Sequence, residues 1–120
     1  MVSIDRFERL LEQAMYALPG EVYERLNLGV NLSERAKLNH ATASGAAAYI
    51  LGEYHVRPQM GRGIILYYGS FKKVYPDLDD EGQLLERISQ VLRHELTHHL
   101  EHLAGENMLA REDARRLMEM

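Results

Sequence analysis

The chain has 120 residues, a formal net charge of −4 and no cysteine. That length fits a single domain, residues 1–120, built on one hydrophobic core. The lack of cysteine excludes disulfide frameworks, thiolate metal sites and thiol nucleophiles together. An apolar fraction of 46% with 27% charged residues is ordinary for a soluble globular protein. The acidic balance, without a basic run, speaks against nucleic acid and against an anionic membrane surface as partners. No stretch approaches the ~18 apolar residues of a membrane span. The opening MVSIDRFERL is too charged for a signal peptide, so a cytoplasmic location is expected.

From Ser3 to Leu18, apolar residues fall at Ile4, Phe7, Leu10, Leu11, Ala14, Met15 and Leu18. That spacing predicts an amphipathic helix with Ser3 as N-cap, ended by Pro19-Gly20. A short helical turn is expected over Glu21–Leu26. Leu28, Val30 and Leu32 alternate with Gly29 and Asn31 and predict a strand. Ser33 to Ala47 reads as a loop or short helix, with His40 at the surface. Ala48 to Tyr54 predicts a strand, 57–63 a turn, and Ile64 to Tyr68 the clearest strand in the chain. Gly69 marks a place where a backbone or ligand comes close. Asp80 is the expected N-cap of a long helix over about Glu81–Ala104. Gly105 suits its C′ position, and a last helix is expected over about Met108–Met118.

The long helix carries RHELTHHLEH, residues 93–102, which contains H-E-x-x-H. Four residues are about one turn, so His94 and His98 project from one face. Two imidazoles so placed can share one Zn²⁺ at Zn–N distances of ~2.0–2.1 Å. Glu95 stands beside that pair, where a carboxylate can take a proton from a water acidified by the metal. Leu84, Leu85, Ile88, Val91, Leu92, Leu96, Leu100 and Leu103 form the apolar stripe, which leaves His94 and His98 on a shared flank. His99 points toward the stripe and is expected to be a hydrogen-bonded core histidine. His102 is a candidate for substrate contact. A catalytic zinc usually has a third protein ligand. Asp113, on the last helix, is favoured for it, with Glu101, Glu106, Glu112 or water as alternatives.

GEYH at 52–55, MGRGIILYYGSF at 60–71 and VLRHELTHHLEHLAGE at 91–106, with FERLLEQAMYALP at 7–19, resemble a bacterial family of minimal zincin-like metallopeptidases. The resemblance implies an α+β fold, a small twisted mixed sheet packed on helices with the HExxH helix beneath it. It implies a Zn²⁺ cofactor and a peptide or protein substrate. An edge strand near the site would bind extended peptide by strand addition. Carried over here, that strand is Ile64–Tyr68, with Ile65, Tyr67 and Tyr68 as substrate contacts and either tyrosine or His102 near the oxyanion. One branch extends the motif to HExxHxxGxxD. Here Glu101 stands at the Gly position and Ala104 at the Asp position, so a third ligand must come from elsewhere or be missing. The branch with HHLE and LAGE keeps a Glu112-Asp113 pair. The function expected is zinc-dependent peptide-bond hydrolysis. The rivals are a zincin-like module that binds metal and peptide with little turnover, and a metal-dependent ribonuclease.

Overall fold

A computed structural model describes residues 1–40 and 48–119. The fold is α+β, with four helices and two small sheets among these residues. Helix α1 spans Ile4–Tyr16, and the Ser3 side chain caps it by accepting from the Arg6 amide at 3.2 Å. Its apolar face, Phe7, Leu10, Leu11 and Ala14, is buried. The turn after Pro19 is a 3-10 helix, Gly20–Tyr23. Strand β1 is Gly29–Ser33 and β2 is Lys37–Asn39, the latter inside a segment expected to be loop or helix. Residues 41–47 of that segment lie outside the described residues.

The strand expected over Ala48–Tyr54 is two, β3 (Ala48–Ile50) and β4 (Gly52–Arg57), broken at Leu51. β3 pairs antiparallel with β2. β4 forms a hairpin with β5 (Gly61–Tyr67), whose turn places Gln59 at φ 66°. β1 joins the other side of β5 in parallel, giving the order β1-β5-β4. Of the stretch Ile64–Tyr68, residues 64–67 are therefore the centre of the sheet, not its edge, and Tyr68 already begins the next helix. The reason is burial: Ile64 and Leu66 are fully buried on the face toward the helices. The exposed edge beside the helices falls to β4.

Tyr68–Val74 forms helix α2, which apolar spacing alone did not indicate. It is held by Phe71, which is fully buried and packs edge-on against Phe7 with centroids 4.9 Å apart. Gly69 makes the close approach expected of it, since a Cβ there would lie 2.6 Å from the backbone of Arg35 and Ala36. Gly69→Ala is expected to lower stability by ~1–3 kcal/mol, because backbone rather than a flexible side chain must move; a urea unfolding midpoint measures it.

Helix α3 spans Glu81–Gly105, and the Asp80 carboxylate caps it by accepting from the Gln83 amide at 2.9 Å. Leu84, Ile88, Leu92, Leu96, Leu100 and Leu103 are buried along one stripe, packed on α1 and on the inner face of the sheet. Each such side chain contributes ~1.5–3 kcal/mol by leaving water. Asn107, at φ 59°, takes the left-handed position after the helix, and α4 spans Arg111–Met118. No helix among the described residues is long and apolar enough to cross a membrane.

Candidate functional site

β4 runs alongside α3 in the same direction. A Cβ on Gly52 would lie 2.7 Å from Val91 and 3.6 Å from Glu95, while Tyr54 reaches Glu95, His99 and His102 further along. The hairpin register explains which backbone groups meet the helix. Leu51 accepts from the Tyr67 amide at 2.9 Å, so alternate residues 51, 53, 55 and 57 bond inward to β5. Gly52, Tyr54 and Val56 turn their N–H and C=O groups to the free edge. One of these, the Tyr54 amide, donates to Glu95 Oε1 at 3.1 Å.

His94 and His98 stand exposed on the neighbouring flank, with Nε2 atoms 3.2 Å apart and rings at 86°. Two Zn–N bonds of ~2.0–2.1 Å at a tetrahedral angle separate their nitrogens by ~3.3 Å. The pair thus matches the spacing of two ligands on one ion. Glu95 is only 7% exposed. Burial raises its carboxyl above the usual carboxylate range, against the opposing pull of His94, His98 and the Tyr54 amide. A groove of about 330 Å³ lies over His94 and Glu95, walled by Tyr49, Leu51 and Gly52 on one side and Gln90, His94 and Glu95 on the other.

His99 is fully buried, as its place on the stripe suggested. Its Nε2 lies 2.7 Å from the Glu24 carbonyl, which can only accept, so Nε2 carries the proton. Nδ1 is then free to accept from the Tyr54 hydroxyl at 2.9 Å. Burial lowers its pKa and keeps it in this neutral tautomer. The side chain thereby ties α3 to β4 and to the turn after α1.

Several expected site residues lie elsewhere. Asp113 is exposed on α4 and lines a separate groove with Glu21, Glu24 and Arg116. The helix explains the displacement: Leu117 and Met118 of α4 share a gap with Arg93, Thr97 and Leu100, a different side of α3 from the histidine flank. Glu101, Glu106 and Glu112 do not join the pair either, since no group of three His, Cys, Asp or Glu side chains converges among the described residues. Asp113→Asn is accordingly expected to leave zinc affinity within about two-fold of wild type, in a competition titration against a chromogenic chelator. Tyr67 donates its hydroxyl to Glu53, and Tyr68 to the Val2 carbonyl at 2.5 Å. Both hydroxyls are thus already engaged by partners other than His94 or Glu95. Ile65 sits on the central strand opposite Glu53, outside the groove.

His102 is half-buried, its ring 6.1 Å from that of Tyr54, at the far end of the same cleft. Tyr54 is the site residue that sequence reasoning passed over. Its signal was the alternation of Gly52-Glu53-Tyr54-His55, which puts Gly52 and Tyr54 on one face of a strand.

No family model matches the chain, and neither does any curated protein. Among solved structures it is similar to a conserved hypothetical protein from T. thermophilus, with 31% identity and a TM-score of 0.74. The match covers 87% of this chain and 99% of the other.

Proposed function

The chain belongs to the family of that conserved hypothetical protein from T. thermophilus, and for this member we propose a zinc-dependent peptidase of zincin-like fold with Glu95 as its general base. The observation that carries the proposal is the His94–His98 pair at 3.2 Å beside a buried glutamate. The donor chemistry fits a divalent transition ion, since neutral imidazole is a ligand Zn²⁺ favours and the pair is solvent-accessible. When bound, Zn²⁺ supplies Lewis acidity, lowering the pKa of a water ligand to about 7 and polarising a carbonyl.

The chain's own groups account for the rest. Glu95 takes the proton of the attacking water and delivers it to the departing amine. The Tyr54 amide holds Oε1, leaving Oε2 for that exchange. The outward backbone groups of Gly52 and Val56, with the Tyr54 carbonyl, offer an extended peptide a strand edge next to the histidines. The substrate edge is thus β4, in place of the 64–68 strand. Gly52 keeps this edge close to α3, because any side chain there meets Val91.

A second reading, a module that binds metal and peptide with little turnover, draws on the lack of a third converging side chain among the described residues. A digest of a broad peptide library by the zinc-loaded protein separates the two. Cleavage that stops on chelation and returns with zinc supports the peptidase; zinc uptake with an intact library supports the module.

A further inference from the structure

Beyond the histidine pair, a second groove of about 580 Å³ lies at the far end of β4, beside His102 of α3. Arg25, Arg57 and Arg62 line it together with His102, Met60 and a single carboxylate, Glu106. Three guanidinium groups on one groove stand out in a chain of net charge −4. Among the described residues none of the three forms an ion pair. Arg62 is the most constrained. Its Nε is buried with no hydrogen-bond partner, and its Nη2 has only the Met108 thioether, a weak acceptor, at 3.5 Å.

The groove is built, not incidental. The Asn27 side chain donates to the Met60 carbonyl at 2.9 Å and accepts from the Arg62 amide at 3.0 Å, pinning the β4–β5 turn to the segment that carries Arg25. Arg25 and Gln59 both hold positive φ, 64° and 66°, on its rim. Such backbone costs ~1–3 kcal/mol and persists only where the surroundings fix it.

We infer that this groove binds a carboxylate of the peptide laid along β4, so that the site selects peptides with an acidic side chain or a free C-terminus a few residues from the bond beside Glu95. The inference rests on the peptidase reading for its substrate. The spacing is set by the strand: Arg57 lies three residues past Tyr54, ~10 Å at ~3.3 Å per residue. His102 lies one turn past His98, on the path between the two. Unpaired guanidinium groups favour a carboxylate through charge-assisted, bidentate hydrogen bonds.

The test uses the full chain carrying Glu95→Gln, loaded with zinc, and fluorescent peptides in matched pairs. One pair differs only by Glu against Gln, the other by a free C-terminus against an amide. The carboxylate member of at least one pair should bind about ten-fold tighter by anisotropy, and less so at high salt. Preference within the first pair assigns the groove to side chains, and within the second to chain ends. Adding Arg25→Ala and Arg57→Ala, both exposed side chains, should shrink the difference to under about two-fold with zinc content and melting temperature unchanged. Equal affinity within both pairs, no binding of either, or a preference that survives the arginine changes overturns the inference. The peptidase reading fails separately. A wild-type protein that cleaves neutral peptides as fast as acidic ones removes the groove's role alone, whereas acid-selective binding without cleavage removes catalysis alone.

Discussion

Glu95→Gln is expected to abolish peptide cleavage, by about 10²–10⁴-fold, while zinc content stays at the wild-type level. The substitution is nearly isosteric, and a glutamine oxygen still accepts from the Tyr54 amide that now bonds Oε1. The β4–α3 contact therefore persists, and His94 and His98 keep their positions. What disappears is a base able to take a proton from water and return it to the leaving amine. Glu95→Ala should lose the same activity and some stability as well, because it leaves the Tyr54 amide without its partner. Stopped-time assays on a quenched peptide, with elemental analysis of the same samples, read both quantities. Turnover close to wild type in the glutamine variant removes Glu95 from the chemistry.

His99→Ala should be the most destabilising single change within the motif, at roughly 3 kcal/mol. The ring is fully buried, so its removal leaves a cavity. It also leaves two part-buried polar partners, the Glu24 carbonyl and the Tyr54 hydroxyl, without their hydrogen bonds. Against a total stability of about 5–15 kcal/mol for a domain of this kind, that is a large share. The adjacent His98→Ala should cost little stability, because its side chain is exposed. Parallel urea titrations of the two variants separate the structural histidine from the proposed zinc ligand. Equal stability of both would contradict the assignment of His99 as the tie between α3 and β4.

The long helices were legible because their apolar period persists over three or more turns and their caps are side chains at fixed positions. Ser3 and Asp80 cap α1 and α3 as their sequence positions indicated. The division of the motif's histidines was legible for the same reason: at ~100° per residue, His99 falls on the stripe and His94 and His98 fall off it. Helix α2 was hidden because its stability comes from elsewhere in the chain. Phe71 inserts beside Phe7, and Gly69 lets the Arg35–Ala36 backbone close against it.

Strand order escaped sequence reasoning for a related reason. Nothing local in GRGIILY states that β1, some thirty residues earlier, will pair in parallel along its far side. That long-range pairing makes β5 central and hands the exposed edge to β4. Asp113 was misplaced by distance in the same way. A short helix after a turn can fold toward either side of α3, and Leu117 takes α4 to the side away from His94 and His98. The arginine groove had no sequence signature at all. Arg25, Arg57 and Arg62 are scattered along the chain, and the Asn27 clamp on the hairpin turn brings them together.

The most direct measurement is the location of zinc by anomalous scattering at its absorption edge, with stoichiometry by elemental analysis. One zinc per chain is expected, on the Nε2 atoms of both His94 and His98, and it should vanish in the doubly substituted His94→Ala, His98→Ala protein. A purified chain that takes up no zinc, or holds it away from those rings, would contradict the account and leave the 3.2 Å contact as a hydrogen bond between two surface imidazoles.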